Sequence, residues 1–356
     1  MSMTEPRLSI VIATRNDDYV SGMADRQQIS LSFIIQQLEK FELASEIIIV
    51  DWNPPADKPE LAKVLIWPRE LRWVSVRTVI VPNEVHTTYA YSEKSGMHAA
   101  AAWNVGLRRA KGQFLLPKSA DTFFSDALVK YLAQESLSED CVYRCDRVDM
   151  PAEAVNRWQK NQQLGVDELM IKRFSRLVQP IAGVPALHTN ACGDFLLMSR
   201  QSWYEIRGFI ESDGVFSADV DGLALHAAVK SGAKEVELPD DCIVAKPYHG
   251  RGVEWRVRRE LRLGWMLRHL MLLLRQASAE QHLAARNKYD YPKRRLRNRK
   301  GVVLPSYARN YLSRIHDWHL KGADIRINDE HWGCGSLDLP EFQMSSLEAL
   351  ASEVES

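Results

Sequence analysis

Short apolar runs alternate with amphipathic stretches along the first 250 residues. Leu8-Ser9-Ile10-Val11-Ile12-Ala13 is apolar and β-branched, as a strand buried on both faces is. The polar run Thr14-Arg15-Asn16-Asp17-Asp18 ends it. Ile29, Phe33, Ile34, Leu38 and Phe41 then recur at nearly helical spacing, which predicts an amphipathic helix. Glu46-Ile47-Ile48-Ile49-Val50-Asp51 is a second buried strand ending in an acid, and Asn53-Pro54-Pro55 breaks the chain after it. Strand, helix and strand in this order form a βαβ unit, which predicts a parallel sheet with a right-handed crossover.

The alternation continues. Trp73 to Val81 predicts a third strand. The alanine-rich stretch Ala99 to Ala110 predicts a helix, with Gly112 placed as its C-terminal stop. Gln113-Phe114-Leu115-Leu116 is a short strand, and Pro117-Lys118-Ser119-Ala120-Asp121 is expected to turn. A helix begins near Ser125, Phe195 to Met198 is a later strand, Asp219 to Lys230 a helix and Glu235 to Leu238 a strand. No internal repeat is evident. Residues 1–250 therefore form one α/β unit with antiparallel additions. From Gly250-Arg251-Gly252 the composition shifts. Arg256, Arg258, Arg259, Arg262, Arg268 and Arg275 are followed by the basic run Lys293 to Lys300, and the chain turns acidic from Ser345. Residues 251–356 are expected to be a basic helical extension.

Apolar residues at 46% and charged residues at 26% are ordinary for a folded soluble protein. Lys and Arg number 46 and Asp and Glu number 46, so the formal charge is zero. That argues against a global nucleic-acid-binding field and leaves only local basic patches. The five cysteines form no C-x-x-C pair and their number is odd. A disulfide framework or structural zinc site is therefore not expected, and a reducing cytoplasm is. MSMTEPR has no apolar core of signal type. The apolar run Leu270 to Leu274 is far short of the ~18 residues of a membrane span.

In open parallel sheets, ligands bind beyond the carboxyl ends of the strands. Three polar clusters fall there: Thr14-Arg15-Asn16, Asp51-Trp52-Asn53 and Ser119-Ala120-Asp121. No G-x-G-x-x-G follows the first strand, and neither a P-loop nor a G-x-S-x-G elbow occurs. Dinucleotide, P-loop and α/β-hydrolase sites are thus disfavoured.

These residues carry a resemblance. Leu8 to Asn16 resembles the opening strand of family 2 glycosyltransferases, and Glu46 to Asp51 resembles their second strand, whose terminal Asp contacts the nucleotide. Ala102-Trp103-Asn104-Val105-Gly106-Leu107, then Ala110-Lys111-Gly112-Gln113-Phe114, is similar to the stretch leading into the metal-binding D-x-D. Gly193-Asp194-Phe195 to Arg200, with Arg207-Gly208-Phe209, looks like the acceptor-side strand and G-G-F turn. Ala218-Asp219-Val220-Asp221-Gly222-Leu223 is similar to the E-D-x-D-L base segment. The resemblance covers roughly residues 7–250. It implies an α/β GT-A (nucleotide-diphospho-sugar transferase) fold: a mostly parallel central sheet flanked by helices, with the C-terminal extension appended.

The resemblance also implies roles. The activity is transfer of a sugar from a nucleotide-diphosphate donor, in the first instance a UDP-sugar, to a saccharide or glycoconjugate acceptor with inversion. Asp219 is the general base, since an attacking hydroxyl needs a carboxylate in reach. Thr14, Arg15, Asp51, Asn104, Ser119, Ala120 and Asp121 form the donor site, and Asn190, Gly193, Asp194 and Asp221 the acceptor side. A leaving diphosphate gathers negative charge, so Mg²⁺ or Mn²⁺ is expected at Asp121 and His249. Two positions depart from the pattern: Ser119 stands where the first D-x-D carboxylate would be, and Ala218 replaces the Glu.

Each residue also has a plainer reading. Asp121 fits a helix cap, Asp51 an Asx-turn, and Asp219 or Asp221 a helix N-terminus. His249 fits a satisfied structural histidine, and Asn104 a polar helix position. Lys118 reads as a solvated turn lysine or as charge replacing missing metal. His188 to Asp194 reads as a plain loop or a sugar-binding one, with Cys192 a small buried residue in it. Residues 255–300 fit an anionic membrane surface, or packing with arginines toward solvent. A scaffold on a degenerate transferase fold and a sugar nucleotidyltransferase remain as alternatives. The second usually carries a Gly-rich basic loop, which Ala13-Thr14-Arg15-Asn16 is not.

Overall fold

The computed structural model describes residues 5–17, 22–68, 70–150, 172–174, 183–211, 220–247 and 308–343. Strands β1 (Leu8–Thr14), β2 (Ser45–Trp52), β3 (Val74–Val81) and β4 (Phe114–Ser119) lie side by side in the order β4-β1-β2-β3, all parallel. Their continuous apolar runs follow from burial on both faces. Side chains alternate across the sheet. Ile10, Ile12, Ile47 and Ile49 pack with Leu31, Ile34 and Leu38 of helix α1 (Met23–Lys40). Val11, Ile48 and Val50 pack on the opposite face. The link from β2 to β3 holds the short α2 (Leu61–Val64). The link from β3 to β4 holds α3 (Asn83–His86) and α4 (Ala99–Arg109). Ala102 and Val105 of α4 belong to that second face.

The remaining elements extend this frame. They are β5 (Phe123–Phe124), α5 (Asp126–Gln134), β6 (Cys141–Arg144), β7 (Asp146–Met150), β8 (Lys172–Phe174), β9 (Leu197–Ser199), α6 (Arg200–Glu205), α7 (Val220–Lys230), β10 (Lys234–Glu237), β11 (Ile243–Pro247), α8 (Ala308–Lys321) and β12 (Glu341–Gln343). The large sheet runs β10-β6-β9-β4-β1-β2-β3-β12, and a second sheet runs β5-β11-β7-β8. β9 is antiparallel to both β4 and β6. The chain thus adopts the mixed α/β architecture expected of it, a large central sheet flanked by helices.

Three local expectations need correction. β4 does not turn at Pro117 but continues through Ser119, paired with β1. Its ladder with β9 covers only Phe114 and Leu115, so the missing Pro117 N–H breaks no bond on that side. Gly112 is not the stop of α4, whose C-cap is Ala110. A Cβ on Gly112 would lie 2.5 Å from Ser9 Oγ and 2.7 Å from Ser9 N, so glycine is needed for close approach to β1. Asp121 does not cap the following helix. Ser125 does, its hydroxyl accepting from Leu128 N at 3.2 Å.

The described part of the C-terminal region joins this body. α8 packs on α7, and β12 pairs antiparallel with β3 at the sheet edge. Arg77 of β3 donates to Glu341 at 2.6 Å and lies 3.5 Å from Glu46. No helix among the described residues is long and apolar enough to cross a membrane. Residues 255–300 lie outside the described residues.

Candidate functional site

The connections define where a ligand can enter. From β1 the chain steps to β2 and β3 on one side, then crosses back to β4 on the other side of β1. The switch point is therefore between β1 and β4, and the crevice beyond their carboxyl ends is the natural binding place. Ser119, Ala13 and Val50 are register partners across β4, β1 and β2, and Thr14 is paired with Asp51. The ends of β4 and β2 are thus two strand spacings apart, about 10 Å. Thr14, Arg15, Asp51 and Ser119 share one rim.

On the β2 side the polar groups lock one another. Asp51 is fully buried, and its Oδ2 accepts from Leu61 N at 2.8 Å, at the start of α2. Its Oδ1 has no hydrogen-bond partner among the described residues. Burial pushes the Asp51 carboxyl up to about 6, partly offset by the Leu61 amide. Arg15 Nε donates to Asn53 O at 2.6 Å. Asn53 Nδ2 donates to Gly96 O at 3.1 Å, and Asn53 Oδ1 accepts from Asn83 Nδ2 at 3.0 Å. Thr14 is turned inward, its hydroxyl donating to Gln27 of α1 at 3.0 Å.

On the β4 side a charged cluster forms around Asp194, in the 3-10 turn Cys192–Asp194 before β9. Its Oδ1 accepts from Lys246 of β11 at 2.7 Å and from Ser119 Oγ at 3.1 Å. Its Oδ2 accepts from Arg147 of β7 at 2.7 Å. Burial favours the neutral acid, but Lys246 and Arg147 overcome it and hold the carboxyl well below the usual range. Burial likewise works against charge on Lys246, yet Asp194 and Asp121 raise it above an ordinary lysine. Asp121 is buried beside them. Lys118 is fully buried, not a solvated turn lysine, because β4 carries it under the site. It donates to Ser30 Oγ at 2.7 Å and Ser119 O at 3.1 Å. Burial pulls it down to about 7 against the opposing pull of Asp121.

The loop before Asp194 is pinned by Arg144, which the sequence reading missed. Its buried guanidinium donates to the carbonyls of His188 at 3.0 Å, Asn190 at 3.2 Å and Cys192 at 3.4 Å. Cys192 is fully buried, and burial pushes its thiol up, so it is no nucleophile. Asp221, in the first turn of α7, approaches the same turn: a Cβ on Gly193 would lie 3.0 Å from its Oδ2. Ala120 packs into the core beside α1. Asp219 and His249 lie outside the described residues.

No family model matches the chain, and no curated protein does. Among solved structures, S. aureus TarS 1-349 in complex with UDP is similar with a TM-score of 0.43 and 12% identity, over 68% of this chain and 60% of that one. A longer structure of S. aureus TarS gives 0.41 and 13%, over 68% of this chain and 37% of that one. The catalytic domain of Drosophila beta1,4galactosyltransferase 7 complexed with xylobiose gives 0.33 and 11%, over 65% and 63%. This chain spans less than two thirds of each of them. Identities this low carry no residue roles across.

Asn104, expected on the donor side, makes its bonds within the protein. It is fully buried, its amide nitrogen donates to Phe209 O at 2.7 Å and Glu211 at 2.6 Å, and its oxygen accepts from Phe209 N at 2.8 Å. It anchors the Arg207-Gly208-Phe209 turn. Arg207 and Gly208 both sit in the left-handed region, at φ 56° and 71°. Arg207 takes that conformation without being glycine, held by Asn328, which donates to its carbonyl at 2.8 Å.

The divalent cation implied by the resemblance would need oxygen ligands at the D-x-D position. Asp121 is the one carboxylate of the D-x-D position. The Ser119 hydroxyl is committed to Asp194, and both oxygens of Asp194 are taken by cations. Among the described residues, no three His, Cys, Asp or Glu side chains come together to hold a metal. Among the described residues, Asp121 and the committed Ser119 do not amount to a protein-held divalent site, and His249 lies outside them.

Proposed function

We propose that this chain is a glycosyltransferase that moves a sugar from a nucleotide-diphosphate donor, a UDP-sugar in the first instance, to a hydroxyl of a saccharide or glycoconjugate acceptor, with inversion. The observation that carries this is the rim at the carboxyl ends of β2, β1 and β4, on either side of the switch point. Asp51, a buried carboxylate whose Oδ1 has no hydrogen-bond partner among the described residues, stands at one end, and a cluster of fixed charges around Asp194 at the other. Asp51 Oδ1 suits an N–H or O–H of the base or ribose. The charged end suits a diphosphate, which must shed its charge onto something as it leaves.

The reaction is a single displacement. The acceptor oxygen bonds to the anomeric carbon while the bond from that carbon to the diphosphate oxygen breaks, and the electron pair leaves with the diphosphate. The acceptor proton passes to a carboxylate. Asp219 is the base the resemblance implies. Asp221, two residues on, belongs to the acceptor side, beside Gly193 and Asp194. Binding is tested by thermal shift of the full chain with nucleoside diphosphates. A ligand at a hundred times its Kd should add about 2.7 kcal/mol of stability. Asp219→Asn should cut transfer about 10²- to 10⁴-fold while leaving nucleotide binding intact. Unchanged turnover would remove Asp219 as the base.

A further inference from the structure

At the β4 end of the rim, three cations, Lys118, Lys246 and Arg147, stand among three carboxylates, Asp121, Asp149 and Asp194. A pair of carboxylates is what draws a divalent ion into such a rim. Here one of the pair is Ser119, and the neighbouring β4 residue is Lys118. Serine in place of an acid leaves the rim one negative charge poorer, and Lys118, pulled down to about 7 by burial, adds only part of a positive one. Arg147 and Lys246 add two more cations, answered by Asp194, by Asp149, which lies 3.1 Å from Arg147, and by the buried Asp121 beside Lys246.

Lys118 is not the group that reaches a ligand. It is fully buried, and its ammonium is spent on Ser30 and on the Ser119 carbonyl. Lys246 is differently placed. Its side chain is 24% exposed. Its ammonium has three N–H donors, and the bonds within the described residues are to Asp194 at 2.7 Å and Ser119 at 3.4 Å. One donor remains for a ligand in the crevice. Asp194 fixes this lysine and Arg147 together, so the cations need not reorganise when negative charge develops beside them.

We propose that Lys246 and Arg147, clamped by Asp194, neutralise the departing diphosphate, so that donor binding and transfer proceed without a divalent cation. This rests on the transferase reading above. As the anomeric carbon–oxygen bond breaks, its electron pair stays on the diphosphate. Both keep their protons; Lys246 donates a hydrogen bond to that oxygen array, and Arg147, held by Asp194 and Asp149, acts through its charge. The acceptor proton goes to the carboxylate base, not to either cation.

The experiment is titration calorimetry of the full chain with UDP and with uridine, in EDTA and in Mn²⁺, beside a panel of GDP, ADP and CDP. The wild-type chain should bind its best diphosphate in EDTA, with an affinity within about threefold of that in Mn²⁺, a difference well under the 1.4 kcal/mol of a tenfold change. Lys246→Met should weaken the diphosphate about 10- to 100-fold, as the loss of a charge-assisted bond does. Its affinity for the nucleoside alone should not change, which also shows that the variant is folded. Lys246→Arg should recover part of the loss. Diphosphate binding that requires Mn²⁺ overturns the proposal, as does a Lys246→Met effect that is absent or equal for diphosphate and nucleoside. The wild-type comparison stands even if a variant does not fold. If no nucleoside diphosphate binds in either buffer, the transferase reading itself falls, an outcome distinct from metal-dependent binding.

Discussion

Asp51 should be a residue that costs the fold stability in return for binding. It is fully buried and its carboxyl is pushed up to about 6 by burial, from an ordinary value of 3.8. The sign follows from linkage. A raised acid binds its proton more tightly in the folded chain, so stability is lost as pH rises from the unfolded value through the folded one, between about 4 and 6. The shift of about two pH units is worth about 3 kcal/mol at pH 8 and about 1 kcal/mol at pH 4.5. Asp51→Asn removes that pH-dependent cost and keeps an acceptor for Leu61 N, at a loss of about 1 kcal/mol for the weaker neutral bond. Relative to wild type, the variant should therefore gain about 2 kcal/mol more at pH 8 than at pH 4.5. Urea denaturation at the two pH values reads this difference directly, and other titrating groups cancel in the comparison. Nucleotide affinity should fall in the same variant. An Asp51→Asn effect on stability that is equal at both pH values would refute the reasoning, because the buried carboxyl would then not be titrating in this range.

Two further outcomes are expected. Asp194→Asn removes the anion that Lys246 and Arg147 share and should destabilise the chain by about 3 kcal/mol, the low end for breaking a buried pair, since Lys246 is partly exposed. Because the Asp194 carboxyl is depressed, its contribution is present above about pH 4 and lost below it, so the variant should lack that acid-side decline in a urea series. His226 of α7 lies 3.2 Å from His319 of α8, and burial, then His319, pulls His226 down to about 3. A depressed histidine stabilises the fold above its unfolded value near 6.5 and loses that contribution as pH falls, about 2 kcal/mol by pH 5. His226→Leu should flatten wild-type loss between pH 7.5 and 5, and an unchanged slope would exclude the pair as its source.

What was legible in the sequence follows from what is local. β1, β2 and β3 declare themselves because burial on both faces demands unbroken β-branched runs, and each is found within a residue or two of its expected place. Asp51 and Ser119-Ala120-Asp121 were legible because a strand end fixes their position at the rim. Lys118 was not, because its burial depends on Ser30 of α1, 88 residues away. Arg147 and Lys246 were missed for the same reason. Each is one polar residue in a short strand, and only the parallel pairing of β7 with β11 brings them to one carboxylate. Arg144 gave no signal at all, since nothing in Cys141-Val142-Tyr143-Arg144 says that a guanidinium will collect three carbonyls of a distant loop. The anchoring bonds of Asn104 were equally hidden, because its partners, Phe209 and Glu211, lie more than a hundred positions downstream.

The pairing of β12 with β3 sets an order of assembly. The edge of the sheet is closed by Glu341–Gln343, and the ion pair from Arg77 to Glu341 joins positions 264 residues apart. During synthesis that edge is made early and its cover emerges late. Until then, β3 presents an open row of backbone donors and acceptors to any neighbouring chain. The segment that shields this edge therefore leaves the ribosome 264 residues after the strand it covers.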